Sequence, residues 1–153
     1  MAIAALTTWL MTATGGLYLF AVWLIEHDGS KKGGAASRLR APVVFSHVTL
    51  AVGGLIIWVI YLYVDKARLA WAAFFILLPV VLLGLTMLTR WIPVHRAANA
   101  SVDIAGPARS GSAAVIVGPP ERNFPVPVVV AHGALAVVTL ALVALTALGF
   151  GGS

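Results

Sequence analysis

Pro42-Val43-Val44-Phe45-Ser46-His47-Val48-Thr49-Leu50-Ala51-Val52-Gly53-Gly54-Leu55 aligns without gaps on Pro127-Val128-Val129-Val130-Ala131-His132-Gly133-Ala134-Leu135-Ala136-Val137-Val138-Thr139-Leu140. The two segments share the proline, the two valines after it, the histidine, Leu-Ala-Val and the final leucine. A fainter echo precedes each copy: Gly16-Leu17, Trp23 and His27 match Gly84-Leu85, Trp91 and His95 at the same internal spacing. Self-similarity of this kind marks a duplicated supersecondary unit, so the chain reads as two helix pairs in tandem. All four histidines fall at equivalent places in one copy or the other.

Of the 153 residues, 61% are hydrophobic and only 10% are charged, and the mean hydropathy is +1.01. That composition lies outside the usage of water-soluble domains. Four apolar runs, about 3–25, 43–64, 67–89 and 128–148, are long enough to cross a bilayer, which takes about 20 residues at about 1.5 Å of rise each. None has an interior acid or base. The first run has no basic segment before it and exceeds the length of a signal-peptide core, so it reads as a retained span. The predicted fold is all-α: one integral membrane domain over residues 1–153, a four-transmembrane-helix bundle made of two tandem helix-hairpin repeats. Parallel repeats of this type are related by an approximate two-fold axis along the membrane normal.

The loops at about 26–42 and 90–127 carry Lys31, Lys32, Arg38, Arg40, Arg90, Arg96, Arg109 and Arg122, against Lys66 and Arg68 on the other side. The positive-inside rule places those loops in the cytoplasm and both termini outside, in a multi-pass protein of the cell membrane. The formal net charge of +5 is therefore a topology signal that also attracts anionic lipid headgroups. It does not indicate nucleic-acid binding, which would need a basic stripe with interleaved aromatics. The absence of cysteine removes disulfides, thiolate metal sites, iron–sulfur clusters and covalently attached c-type haem.

Asp65-Lys66-Ala67-Arg68 is so short a link that the second and third spans must be antiparallel neighbours. Pro42 and Pro127 sit at helix starts, where a missing N–H costs nothing, whereas Pro79 lies inside the third span and is expected to kink it. The first loop reads as mobile, and 96–123 reads as a flexible linker, with an apolar patch at 113–117 suited to a short strand or a membrane-surface segment. Trp9, Trp23, Trp58, Trp71, Trp91, Tyr61 and Tyr63 fall mostly toward span ends, the pattern of an interfacial aromatic belt.

The second and fourth spans run in the same direction, so His47 and His132, each five residues after its proline, lie at one depth, about a turn inside the cytoplasmic boundary. His27 and His95 reach that boundary from the other two spans. Below the deeper pair, Ala51 and Gly54 follow His47, and Ala136 and Thr139 follow His132, at i+4 and i+7 on the same helix face. Small residues there are expected to leave room for something broad and flat. In a ring of four helices the second and fourth face each other across the core, where bundles house cofactors.

Paired histidines on different spans of a small bundle resemble the b-type cytochromes of membranes, such as the cytochrome b561 group and the haem-bearing anchor subunits of respiratory dehydrogenases. The resemblance covers the architecture and His47/His132. It implies one haem b near the cytoplasmic surface with those two axial ligands, Arg40, Arg90 or Arg96 meeting the propionates, and electron exchange with a quinone or a redox protein. The further histidines that carry a second haem in several such cytochromes are absent here. Two other readings stand beside it. One is a cofactor-free subunit or scaffold of a membrane complex or homo-oligomer, its histidines bonding between helices. The other is a non-haem metal site formed by His47, His132, His27 and His95, with Glu26 or Asp28. No phosphate-binding glycine loop, serine elbow, carboxylate pair or intramembrane acid is present, which argues against hydrolysis, phosphoryl transfer and ion-coupled transport.

Overall fold

The computed structural model describes residues 1–30, 37–104 and 120–150. Four helices account for most of them: α1 (Ala2–Ser30), α2 (Ala41–Val64), α3 (Ala67–Ile104) and α4 (Val126–Ala147), with a single 3-10 turn, Pro120–Asn123, leading into α4. All four are long and apolar enough to cross a membrane, and the chain is a helical integral membrane protein. The expected spans at 3–25, 43–64 and 128–148 match helices to within a few residues. The third, expected at 67–89, instead runs unbroken through Pro79 and Pro93 to Ile104. The segment expected as a loop at 90–127 is thus helical from 90 to 104. The patch at 113–117 lies outside the described residues.

Sequence chemistry explains the helix ends. Arg40 and Pro125 are extended N-caps, each followed by proline in the first helical turn, where its fixed φ favours initiation. At the end of α2, Asp65 takes a left-handed conformation (φ 47°) and its N–H bonds the Tyr61 carbonyl, so the chain reverses directly into α3. Gly149 (φ 85°) closes α4, with Gly149 N–H on Thr146 O and Phe150 N–H on Leu145 O, a Schellman cap.

The helices form a ring. α2 packs most extensively on α3 and α1 on α4, α3 and α4 share a smaller seam, and α1 and α2 touch least. The two large interfaces are exchanged by the two-fold implied by the repeat, which swaps α1 with α3 and α2 with α4. Large apolar side chains such as Leu17, Ile25, Val52, Ile56, Leu82, Leu85, Val130 and Val137 face outward, compatible with a lipid surround.

The interior has two parts. Near the α2–α3 turn, Ala5, Trp9, Trp58, Ala70, Ala73, Leu77, Val143 and Ala147 make a continuous core. Lipid is as apolar as these side chains, so close approach rather than hydrophobic transfer drives such packing, and small residues permit it. Nearer the long loops, Trp23, Leu39 and Val44 form a second cluster with Phe20, Met87 and Phe124 against it.

Two expectations are overturned here. Trp9, Trp23, Trp58 and Trp91 are buried, and only Trp71 of the five tryptophans is exposed, so they are core residues and not a belt. Three of these indoles donate inside the protein, Trp58 Nε1 to Ala2 O at 3.3 Å, Trp23 Nε1 to Ser37 Oγ and Trp91 Nε1 to Glu121 O. The small residues below the deeper histidines also leave no flat space. Trp9 fills the room at Gly54, where an added Cβ would lie 3.1 Å from Trp9 Cζ2 and 3.2 Å from Ile76 Cγ2. Thr139 is buried and donates to Thr8 Oγ at 3.0 Å.

Adjacent glycines provide an internal control. Gly54→Val is expected to destabilise the bundle by about 1–3 kcal/mol through overpacking. A Cβ at Gly53 meets nothing within 4 Å, and Gly53→Ala is expected to be neutral or to stabilise by up to about 1 kcal/mol through helix propensity. Thermal unfolding in mild detergent separates the two, and equal losses would refute this packing.

Candidate functional site

His47 on α2 and His132 on α4 point into the ring from opposite corners. Their ring centroids are 6.3 Å apart and the planes are tilted by 57°, although α2 and α4 make no backbone contact of their own. Each ring is held by a backbone carbonyl of the neighbouring helix: His47 Nδ1 lies 2.9 Å from Val80 O and His132 Nδ1 lies 2.9 Å from Thr12 O. In the register that matches Gly16 to Gly84, Thr12 corresponds to Val80, so the two bonds are images of each other under the duplication.

These bonds fix the tautomer. A carbonyl oxygen only accepts, so Nδ1 carries the proton and donates, and in each neutral imidazole Nε2 keeps the lone pair. Among the described residues neither Nε2 has a hydrogen-bond partner. Neither is sealed off, because His27 Nδ1 is the one fully buried side-chain nitrogen or oxygen without a partner among those residues.

The same symmetry governs the backbone beside the rings. A Cβ on Gly16 would lie 2.8 Å from His132 Cε1, and one on Gly84 would lie 3.3 Å from His47 Cε1. The first distance is a clash and the second a tight contact. Glycine at these repeated positions of α1 and α3 therefore admits the imidazoles, a reason for the Gly-Leu echo that spacing alone does not supply.

His27 and His95 are placed differently. Each stacks on the tryptophan one turn before it, Trp23–His27 at 4.6 Å and Trp91–His95 at 5.0 Å between centroids, with interplanar angles of 14° and 17°. No group of three or more His, Asp or Glu side chains among the described residues converges in a way that could hold a metal ion. The four-imidazole centre is accordingly not assembled among the described residues, where the two outer rings stack on indoles one turn earlier instead of joining the inner pair. The Asp28 side chain lies outside the described residues. Glu26 instead accepts a hydrogen bond from Asn123 Nδ2 at 3.1 Å.

Arg40, Arg90 and Arg96 are all exposed at the loop end of the bundle. Arg40 caps α2 seven residues before His47, a spacing that shares one helix face, and Arg90 Nη1 donates to Arg38 O at 3.3 Å.

Glu121, a residue the sequence reading passed over as part of a linker, is completely buried. Its Oε2 accepts from Ser37 Oγ at 2.9 Å and its Oε1 from the Arg38 N–H at 2.6 Å. Its backbone carbonyl accepts from Trp91 Nε1 at 3.1 Å. Ser37 Oγ in turn accepts from Trp23 Nε1 at 3.2 Å. The equivalent tryptophans of the two repeats are thus both tied to Glu121, which clamps the two loops over the histidine pair. The sequence signal was slight: one of only five acids, just before the second Pro-Val-Val motif.

No family model, curated protein or solved structure matches this chain.

Two outcomes are expected of the apoprotein. Nitrogen-15 NMR above pH 8 should find His47 and His132 as the Nδ1–H tautomer, the opposite of free histidine, and Nε2–H signals would contradict the assignment. Gly16→Ala should displace His132 and lower stability by about 1–3 kcal/mol, whereas Gly133→Ala, where a Cβ meets nothing within 4 Å, should not.

Proposed function

We propose that the protein is a b-type cytochrome of the membrane that binds one haem between His47 and His132 and passes single electrons between a quinone or redox protein and a second partner. The observation that carries this reading is the paired imidazole geometry. With a metal–nitrogen bond of about 2 Å and about 1.1 Å from ring nitrogen to ring centre, two imidazoles on opposite sides of one metal have centroids about 6.3 Å apart. The separation here is 6.3 Å. Both rings also donate their second nitrogen to a carbonyl, the arrangement that orients metal-bound histidines and raises their basicity.

The surroundings support the same group. The line between the histidines runs along the α2–α4 diagonal, between α1 and α3. Those two helices make no backbone contact with each other and present Gly16 and Gly84 at this level. When bound, haem supplies a one-electron iron couple whose potential is set by its axial ligands and its burial. The protein's residues hold the imidazoles at one depth, exclude water with the Trp23 and Trp91 clusters, and set Arg40, Arg90 and Arg96 at the loop end as cations for the propionates. Trp9 and Trp58 fill the other half of the interior, which leaves one site. The charge bias of the loops favours the cytoplasmic side for this end of the bundle.

A cofactor-free scaffold is the competing reading. It accounts for the two ring-to-carbonyl hydrogen bonds between helices but gives no reason for the separation of the two rings.

Protein purified in mild detergent from haem-replete cells is expected to give sharp b-type bands in reduced-minus-oxidised spectra. His47→Ala and His132→Ala should each lose them while remaining helical by circular dichroism. A colourless, folded wild-type protein would replace this reading with the scaffold.

A further inference from the structure

Residues 37–40, the short approach to α2, are anchored from the inside. The Arg38 N–H donates to Glu121 Oε1 at 2.6 Å, the Leu39 N–H donates to Ser37 Oγ at 3.1 Å, and the Leu39 side chain is buried in the cluster of Trp23 and Val44. Arg38 and Arg40, on either side of Leu39, are exposed. Two residues apart, their Cα atoms lie no more than about 7 Å from each other. Arg90 joins them from α3, its Nη1 donating to Arg38 O at 3.3 Å. Three guanidinium groups thus stand on one anchored ledge, where α2 starts beside α3, the helix on which it packs most extensively.

This charge is not balanced from within. Glu26 is engaged by Asn123, Glu121 by the Ser37 hydroxyl and a backbone N–H, and Asp65 lies at the other end of α2. Among the described residues no carboxylate pairs with the guanidinium of Arg38, Arg40 or Arg90. Like charges held close together repel one another, and a bound anion relieves that repulsion. The planar fork of a guanidinium matches a phosphate in a bidentate way, so the anion that fits three of them best is a phosphate group.

The level of the ledge in the bilayer selects the source of that phosphate. Arg90 directly follows the apolar run 67–89, and Arg40 directly precedes α2, so the ledge lies where spans meet the lipid headgroups. On the hydrocarbon side of it the outer surface is apolar, with Phe45 on α2 and Leu82, Leu85 and Leu88 on α3 all exposed. A free phosphate would use the cations alone, whereas a phospholipid uses the cations and the apolar surface together.

We infer that this ledge binds one anionic phospholipid, its phosphate held by Arg38, Arg40 and Arg90 and its acyl chains lying along the outer surface of α2 and α3. The site is built from these contacts and does not depend on the haem reading. Each guanidinium carries five donors, enough for Arg90 to keep its bond to Arg38 O, and for Arg40 and Arg90 to meet a propionate on the bundle side and a phosphate on the lipid side.

Native mass spectrometry of the protein in mild detergent, with phosphatidylglycerol, phosphatidylcholine or inorganic phosphate added, tests this. One phosphatidylglycerol per chain should be retained about tenfold more tightly than phosphatidylcholine. Arg38→Gln, Arg40→Gln and Arg90→Gln should each weaken that retention about tenfold. Arg38→Gln keeps the backbone N–H that Glu121 accepts, and circular dichroism checks that all three remain helical. Arg68→Gln, which removes the same charge from the turn end, should not weaken it. Equal retention of the two lipids, or an equal loss in Arg68→Gln, would overturn the site in favour of diffuse surface charge. Retention undiminished in all three ledge variants would overturn it by placing the lipid elsewhere. Displacement of phosphatidylglycerol by millimolar inorganic phosphate would overturn the lipid as the occupant. Retention is read by mass on folded protein, so these outcomes are the same whether or not the protein is coloured.

Discussion

Two imidazole-to-carbonyl hydrogen bonds, His47 to Val80 and His132 to Thr12, organise the site end of this bundle. Interhelical hydrogen bonds in membranes average only about 0.6 kcal/mol and reach about 1.7, so their importance is not mainly energetic. Each joins the helices of one large interface, α2 to α3 and α4 to α1, and each sets which ring nitrogen keeps its lone pair. Gly16 and Gly84 follow as a consequence, because a ring held against the next helix needs a backbone without a Cβ beside it.

The duplication is preserved where this constraint acts and relaxed where it does not. At the loop end the pairs His47/His132, Gly84/Gly16, Trp23/Trp91 and His27/His95 are identical, and even their contacts repeat. At the turn end the equivalents diverge: Trp9 stands against Leu77, Trp58 against Val143, Thr8 against Ile76 and Thr139 against Gly54. There the first repeat supplies two tryptophans and the second supplies smaller residues, so the halves interlock across the axis into one core. An interior packed in this way is filled at the turn end, and the histidine pair stands at the other. The clamp at Glu121 also breaks the symmetry, since one carboxylate and one carbonyl serve both tryptophans.

The spans and the equal depth of His47 and His132 were legible in the sequence because both depend on local quantities, apolar run length and repeat register. The hydrogen bonds that fix the rings were not, since their acceptors are main-chain carbonyls 33 and 120 residues away. The tryptophans were misread for a similar reason. An indole near a span end has the same hydropathy whether it meets a headgroup or an internal acceptor, and the acceptors here lie on other segments. Small residues at i+4 and i+7 were read as space, yet whether a neighbour enters that space depends on the facing helix, and Trp9 does. Glu121 was hidden in a polar, helix-poor stretch, with donors 83 and 84 residues distant.

The most direct test of two imidazoles on one iron is low-temperature electron paramagnetic resonance of the oxidised, purified protein. The account predicts a single low-spin ferric signal of the bis-imidazole type that integrates to one spin per chain. A high-spin signal, two low-spin species or no haem signal from folded protein would contradict it.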